Sequence, residues 1–316
     1  MRHGLARGIA AARVMNVNGL LVIDKPGGIT SHDVVSRLRK ITGERSIGHL
    51  GTLDPIATGV LPLLIGKFTR LAQFFSAAEK SYTGAIRFGF ATDTYDADGE
   101  PAGPDRWSEM TQTMTLERVR AAAQRFKGEI EQMPPAFSAK KIEGKPAYKL
   151  AREGRPVELK TARVRIDAFE VLAMEGAEAS FTMNISSGGY VRSVAHELGQ
   201  DLGAGAHLSR LRRTRAGVFT LADAHTLEEL EALAGDAAGS IAALEAVCVH
   251  PRALLPEMPA VTADAMALGR LRNGAQANLQ EFSGAPLVKV FAGPRELAGI
   301  ARRIAGTLFQ PVIVMG

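Results

Sequence analysis

The sequence predicts an α+β fold, with a large mixed, mainly antiparallel sheet, flanking helices and a small β-rich module at the C-terminus. Strand-like and helix-like segments follow one another irregularly over residues 18–248, which is typical of this class. The stretch VHPRALLPEMPAV then carries three prolines and marks a boundary. The chain of 316 residues, 46% of them hydrophobic, can bury a sizeable core or form two domains. We therefore divide it into a flexible extension (1–17), a main domain (18–248) and a C-terminal module (249–316).

The first elements of the main domain follow from apolar runs and helix signals. GLLVIDKP is a strand that ends at a Pro-Gly-Gly turn. TSHDVVSRLRKITG is a helix that Thr30 or Ser31 caps and Gly43 stops. After a loop, VLPLLIG is strand-like and FTRLAQFF is a short helix.

The middle of the chain continues the alternation. KSYTGAIRFGFATDT places every second residue from Tyr82 to Phe90 on one face of a strand, and the turn-rich DTYDADGEPAGPD follows it. TLERVRAAAQRFKG is a helix that begins after Thr115 and is closed by Gly128.

The remaining elements are two strands, several helices and the strands of the C-terminal module. RVRIDAFEVLAM and ASFTMNISS are predicted to pair. YVRSVAHELGQDLG is a helix entered from a Ser-Ser-Gly-Gly turn, and Ala-rich helices continue to Cys248. Short strands near PLVKVFA and QPVIVM belong to the last module.

Composition excludes several classes of protein. Cys248 is the single cysteine, so an intrachain disulfide and a Cys-rich zinc site are excluded. No apolar run reaches membrane-spanning length. The basic, Ala-rich N-terminus lacks the apolar segment and cleavage site of a signal peptide, so a cytoplasmic protein is expected.

Positive charge is concentrated in two regions of the chain. Residues 138–165 contain nine basic and three acidic residues, a net charge of +6 against +5 for the whole chain. The second region, SRLRRTRAG, contains four arginines and no acidic residue. Each run is either a solvated face or a surface that binds nucleic-acid phosphates.

The loop GHLGTLDPIATG sets one histidine and one aspartate among glycines and small residues. Pro55 favours an extended backbone at Asp54, and the glycines permit a close approach of backbone or ligand. From the residues alone, Asp54 is a turn-former, a metal ligand, a general base or a nucleophile. A metal is disfavoured because no second acidic residue lies nearby in sequence, and the GK[ST] ending of a P-loop is missing.

Five stretches resemble, in order, the TruB family of pseudouridine synthases, the tRNA pseudouridine-55 synthases. They span about residues 18 to 220: GLLVIDKPGGITSHDVVSRLRK, GHLGTLDPIATGVLPLLIGKFTRL, KSYTGAIRFGFATDTYDADGE, PPAFSAKKIEGKPAYKLAREGR and SSGGYVRSVAHELGQDLGAGAHLSRLRRT. The C-terminal module resembles a PUA RNA-binding domain. Leu50 and Lys140 depart from the residues that the family often has at those positions.

The resemblance implies an isomerase that needs neither cofactor nor metal. The reaction breaks the N1–C1′ bond of uridine, rotates the base and joins C5 to C1′. Asp54 maps to the family's nucleophile, and Arg192 to the arginine that would pair with it and lower its pKa. Tyr82 maps to the tyrosine that stacks on the flipped base and serves as a proton acceptor. Packing in a strand core is the competing interpretation of Tyr82.

The resemblance also implies that the T-arm of tRNA is the partner, bound by a monomer without an obligate protein partner. His49, Tyr190 and Leu211 map to positions around the flipped nucleotide, where core packing or a turn is the competing interpretation. The basic insertion, about 130–165, would close over the T-loop, and the PUA-like module would contact the acceptor stem. The basic residues expected to bind the RNA are Lys25, Lys140, Lys141, Arg212 and Arg213.

Three other functions compete with this interpretation. A non-catalytic tRNA-binding or RNA-chaperone protein of the same fold would not need Asp54. A guide-RNA-dependent pseudouridine synthase would need partner proteins, and this chain lacks lysine-rich terminal tails. A metal-free hydrolase using Asp54 would release free uracil from RNA.

Overall fold

The computed structural model describes residues 17–135, 137, 141–142, 145–146, 160–235 and 240–315. Within them the chain forms two larger sheets with helices between and around them, so the predicted α+β class is confirmed. Almost all of the N-terminal extension, Lys140 and most of the basic insertion lie outside the described residues. Lys141 lies in a short strand, but the description does not include its side chain.

A large mixed sheet forms the frame of the molecule. Its ten strands among the described residues are β1 (Gly19–Lys25), β2 (Ile47–His49), β3 (Ala57–Ile65), β4 (Lys80–Phe88), β5 (Gly128–Gln132), β8 (Ala162–Glu175), β9 (Glu178–Ile185), β10 (Ala206–Ala216), β11 (Phe219–Thr220) and β12 (Ala224–His225). The short strands β6 (Lys141–Ile142) and β7 (Lys145–Pro146) form a separate hairpin. The spatial order is β12-β1-β3-β10-β4-β9-β8-β5, with β2 on β3 and β11 on β10. Among the described strand pairs of this sheet, only β1–β12 and β3–β10 are parallel, as the prediction of a mainly antiparallel sheet requires.

Helices cover one face of this sheet. They are α1 (Ser31–Thr42), α2 (Trp107–Met110), α3 (Leu116–Ala123), α4 (Val191–Asp201), α5 (Leu227–Ala234) and α6 (Ser240–Val247). The signals that predicted α1 are all present, because Thr30 forms a capping box with Asp33 and Gly43 ends the helix in the left-handed conformation. The predicted cap Thr115 also accepts a hydrogen bond from the first turn of α3.

Two predicted helices differ from the structure. FTRLAQFF lies in a 3₁₀-helix, Gly66–Phe75, instead of an α-helix. The helix predicted to run to Gly128 ends at Ala123 and is followed by a 3₁₀ turn. Gly128 has a φ of +94° and opens β5 instead of closing the helix. A glycine permits either event, so the sequence did not distinguish them.

The C-terminal residues form a second, five-stranded sheet. Its elements are β13 (Ala260–Thr262), α7 (Ala265–Arg272), β14 (Ala277–Asn278), β15 (Leu287–Phe291), β16 (Leu297–Ala305) and β17 (Leu308–Val314). One buried cluster lies within this module, and another joins it to the first sheet through residues such as Val22, Leu64 and Ile300. In the part of the chain that the structure describes, no helix is both long and apolar enough to cross a membrane.

Strand register brings distant parts of the sequence together at one point. On β10, Leu211 is opposite Ala57 of β3, and Arg213 is opposite Tyr82 of β4. Because β3 and β10 are parallel, the loop that precedes β3 lies beside this pair of residues. The loop carries Asp54, so the topology places the carboxylate next to Tyr82 and Leu211.

Candidate active site

A cavity of about 240 Å³ opens where the loop before β3 meets β4, β10 and the start of α4. It brings together six of the predicted site residues, which are Asp54, Tyr82, Tyr190, Arg192, Leu211 and Arg213. The sequence separates these residues by as many as 159 positions. The cavity is therefore the candidate active site.

The loop that carries Asp54 is held from the side of α1. Ser31 is 1% exposed, and its hydroxyl both accepts from the backbone N–H of Leu53 at 2.8 Å and donates to the Leu53 carbonyl at 2.9 Å. Lys25 donates to the carbonyls of Pro26 and Pro55 at 2.8 and 3.3 Å. Buried backbone groups need such partners, so these bonds fix the backbone on both sides of Asp54.

Arg213 holds the other end of the same loop. Its guanidinium donates to the carbonyls of Val60 at 2.7 Å, Gly51 at 3.0 Å and Thr52 at 3.5 Å. Gly59 permits this close packing, because its φ is +97° and a Cβ there would overlap the Arg213 carbonyl oxygen. Arg213 is thus a structural brace for the loop.

Asp54 and Arg192 form a two-point ion pair. Arg192 Nε lies 2.9 Å from Asp54 Oδ2, and Nη2 donates to Oδ1 at 3.2 Å. Arg192 is 4% exposed. The Asp54 side chain is 35% exposed and lines the cavity. Such a fork fixes the rotamer of a carboxylate and leaves its free edge toward the ligand.

A second carboxylate, Asp96, shares Arg192. Its Oδ2 lies 3.5 Å from Arg192 Nη1, which also donates to the Thr94 carbonyl at 2.9 Å. Asp96 is 3% exposed and accepts from the Thr94 hydroxyl at 2.6 Å. The intervening Tyr95 has a φ of +67°, so both of its neighbours in the chain contact the same guanidinium. Sequence reasoning missed Asp96, because it lies in a turn-rich loop with four other acidic residues.

Burial raises the pKa of Asp54 above its ordinary value. The Arg192 guanidinium acts in the opposite direction, as expected for an arginine partner, and the Asp96 charge raises the pKa further. Arg192 thus lowers the pKa of Asp54 as expected, but burial has the larger effect and the pKa is raised overall. Burial and the Asp96 charge therefore oppose ionisation of Asp54, whereas the ion pair with Arg192 favours it.

Tyr82, Leu211 and Tyr190 form the walls of the cavity. Tyr82 and Leu211 are each 8% exposed and lie on neighbouring strands. Tyr190 caps α4 and exchanges two backbone hydrogen bonds with the Gln132 side chain, at 2.8 and 3.0 Å. Aromatic and apolar walls of this kind suit a flat base.

Two basic residues predicted to bind RNA are buried instead. Lys25 is fully buried and Arg213 is 1% exposed, and both donate to loop carbonyls. Arg213 also lines the cavity, and the binding of RNA by these two residues stays a prediction. Arg212 keeps 40% of its side-chain exposure and makes a two-point pair with Asp24, at 3.0 and 2.7 Å.

His49 lies at the end of β2 and does not line the cavity. Its Nδ1 is buried without a hydrogen-bond partner, and burial lowers the pKa of the imidazole. Within the described residues there is also no group of three or more His, Cys, Asp or Glu side chains that could hold a metal ion.

Comparison with known proteins gives the family. The family model for the N-terminal domain of TruB family pseudouridylate synthases matches residues 39–191, and the model for the tRNA pseudouridylate synthase B C-terminal domain matches residues 192–250. A Solibacter usitatus protein named tRNA pseudouridine synthase B is 44% identical over 95% of this chain and 100% of its own length. The chain belongs to the TruB family of pseudouridylate synthases. This TruB-family chain is therefore an isomerase, as the motifs predicted.

Further relatives agree with this membership of the TruB family. A Cupriavidus metallidurans protein named tRNA pseudouridine synthase B is 40% identical over 93% of both chains. A solved structure of an H/ACA ribonucleoprotein bound to a substrate RNA containing 2′-deoxyuridine has a TM-score of 0.65, with 24% identity over 96% of this chain and 86% of that one. That similarity concerns the fold. The two family models meet at the start of α4, so the cavity is built from both.

Proposed function

We propose that this protein converts uridine-55 in the T-loop of tRNA to pseudouridine, with Asp54 as the nucleophile. The observation that carries the proposal is the two-point pairing of Asp54 with the buried Arg192, at the edge of a cavity walled by Tyr82 and Leu211. The full-length similarity to proteins named tRNA pseudouridine synthase B supports tRNA as the substrate.

The chemistry requires a carboxylate in a fixed position. The N1–C1′ bond breaks, the freed uracil rotates, C5 joins C1′, the hydrogen on C5 leaves as a proton, and N1 takes up a proton. Attack at C1′, attack at C6 and proton removal from the sugar all need Asp54 ionised. Arg192 holds the carboxylate in one rotamer and favours its ionised form.

Access to C1′ requires the nucleotide to leave its stack in the T-arm, at a cost of roughly a few kcal/mol. We propose that Tyr82 stacks on the flipped base and accepts the proton from C5. Leu211 and Tyr190 enclose the base. All three side chains line the cavity with Asp54, which supports this assignment.

We further propose that the enzyme acts alone, without a guide RNA or protein partner. The support is that a relative named tRNA pseudouridine synthase B is 44% identical over 95% of this chain. A chain of an H/ACA ribonucleoprotein and one of a Cbf5-Nop10-Gar1 complex are 24% and 26% identical. Residues 249–316 would serve as a PUA-like RNA-binding domain, which their separate sheet and core support. The basic insertion, Lys140 and Lys141 included, would bind the T-loop phosphates.

The test is tritium release from tRNA transcripts that carry C5-labelled uridine, incubated with the purified protein alone. Each isomerisation must expel the label, because C5 becomes the glycosidic carbon. We expect release from a single T-loop uridine, its loss in Asp54→Asn, and its retention in the matched variant Asp98→Asn, since Asp98 is exposed. Release by Asp54→Asn near the wild-type rate would refute the nucleophile, and free uracil among the products would indicate a hydrolase.

A further inference from the structure

Lys80 lies in the same cavity as Asp54 and has no role in the mechanism described above. It begins β4 two residues before Tyr82, so the two side chains share a face of the sheet. A Cβ placed on Gly51 would lie 3.7 Å from Lys80 Cε and 3.6 Å from Arg213 Nη1. The end of the Lys80 side chain therefore lies on the Gly51 side of the cavity, where the Arg213 charge acts on it.

The cations of this site differ in their partners. Arg192 is paired with Asp54 and Asp96, and Arg213 donates to three backbone carbonyls. In the described part of the chain, the ammonium group of Lys80 makes neither an ion pair nor a hydrogen bond. It is half-buried, and burial together with the Arg213 charge lowers its pKa to about 8. A lysine that is partly desolvated beside another cation is unfavourable unless an anion joins it.

We propose that Lys80 binds a phosphodiester of the RNA next to the flipped nucleotide. The inference rests on the proposed function, because it needs a nucleotide in this cavity. A uracil base is neutral, whereas each flanking phosphodiester carries one negative charge. The carboxylate of Asp54 would repel a phosphodiester. The ammonium of Lys80, on the Gly51 side of the cavity, would attract it. The base then enters toward Asp54 while the backbone stays at Lys80.

The test combines a protein variant with a change in the RNA. Lys80→Met keeps most of the apolar stem and removes the charge, and Lys80→Arg keeps the charge. The RNA partner is a T-arm stem-loop in which one or the other phosphodiester flanking the target uridine is replaced by a neutral methylphosphonate. Affinity is measured over a range of salt concentrations in an Asp54→Asn background, so that no turnover disturbs it. Lys127→Met, which removes an exposed charge, is the matched control.

With unmodified RNA, we expect Lys80→Met to weaken binding about tenfold and to reduce the slope of log K against log salt by about 1, whereas Lys80→Arg retains most of the affinity. When the methylphosphonate replaces the linkage that Lys80 contacts, the protein with Lys80 should lose about as much RNA affinity as Lys80→Met loses with unmodified RNA. The Lys80→Met protein should lose little further affinity from the same RNA change. Fully additive losses at both linkages, or unchanged affinity in Lys80→Met, would overturn the proposal. The RNA change remains informative even where Lys80→Met folds poorly.

The failure of this inference can be told apart from the failure of the proposed function. Tritium release by the protein with Asp54 intact reports the isomerisation directly. Normal release with additive binding losses would reject the role of Lys80 and leave the activity in place. An absence of release from unmodified tRNA would reject the activity itself.

Discussion

The replacement Asp96→Asn tests whether the two carboxylates on Arg192 act as a unit. It removes one charge, keeps the shape of the side chain and leaves Asp54 untouched. Asp96 is 3% exposed and lies 3.5 Å from Arg192 Nη1. The guanidinium would then be held by Asp54 and by backbone carbonyls, so its orientation toward Asp54 would be less tightly fixed.

The size of the effect follows from this geometry. The Coulomb attraction of two unit charges at 3.5 Å is about 5 kcal/mol at an effective dielectric constant of about 20, which is an upper bound. Desolvation of both groups offsets much of it, and the loss of one buried charged hydrogen bond typically costs about 1.5–3 kcal/mol. If that cost falls on the transition state, the rate falls by about 10- to 150-fold, since about 1.4 kcal/mol corresponds to tenfold.

The assay is single-turnover tritium release at saturating tRNA, together with an equilibrium measurement of tRNA affinity. We expect the rate to fall by the factor above while affinity changes within about threefold. Asp96 also raises the pKa of Asp54, so the acid limb of the pH–rate profile should move to lower pH in Asp96→Asn. Asp98→Asn, on the exposed side of the same loop, should change neither quantity. An unchanged rate in Asp96→Asn, or an equal loss in Asp98→Asn, would refute this reasoning.

Three further perturbations address the loop and its aspartate. Ser31→Ala should lower the free energy of unfolding, measured in urea, by about 1–3 kcal/mol, because two buried backbone groups of Leu53 lose their partner. Ser36→Ala on the same helix should cost far less. Equal losses in the two variants would contradict the role of Ser31. Gly59→Ala should destabilise the protein by more than about 2 kcal/mol, since the φ of Gly59 is +97°. Gly48→Ala should be tolerated, because there is open space around Gly48. Similar urea midpoints for the two variants would contradict the role given to Gly59. Asp54→Asn should not lower the thermal midpoint at pH 7. A raised folded-state pKa gives stability that is present at low pH and lost as pH rises through that pKa, so the ionised carboxylate is a cost at neutral pH. A clear drop in the midpoint at pH 7 would contradict this sign.

Much of the fold could be predicted because its signals are local. The capping residue Thr30 and the stop at Gly43 define α1 within the sequence, and the buried run of β3 is nine residues long. The start of β5 was missed because a glycine with positive φ can end a helix or begin a strand, and tertiary pairing with β8 decides between them.

The candidate site was predictable only in part. Asp54 and Arg192 are 138 residues apart, and no local rule predicts that they pair. The pairing was expected only from the resemblance to the family's motifs. Asp96 stands out from the acids around it only through the backbone conformation at Tyr95 and its contact with Arg192. A usable signal was overlooked in SRLRRTRAG. Its residues lie on a strand, so Arg212 and Arg213 must face opposite sides of the sheet and could not both be surface contacts.

The charges of the cavity divide it into two ends. At one end Asp54 and Asp96 share the Arg192 guanidinium, and Lys25 lies close enough to act on the Asp54 charge, so opposite charges are balanced there. At the other end Lys80 lies near Arg213, with no carboxylate beside it in the described residues. A nucleotide also has its charge at one end, since its phosphates are anionic and its base and sugar are neutral. The field of the cavity therefore favours one direction of entry, with the sugar and base toward Asp54 and the backbone toward Lys80.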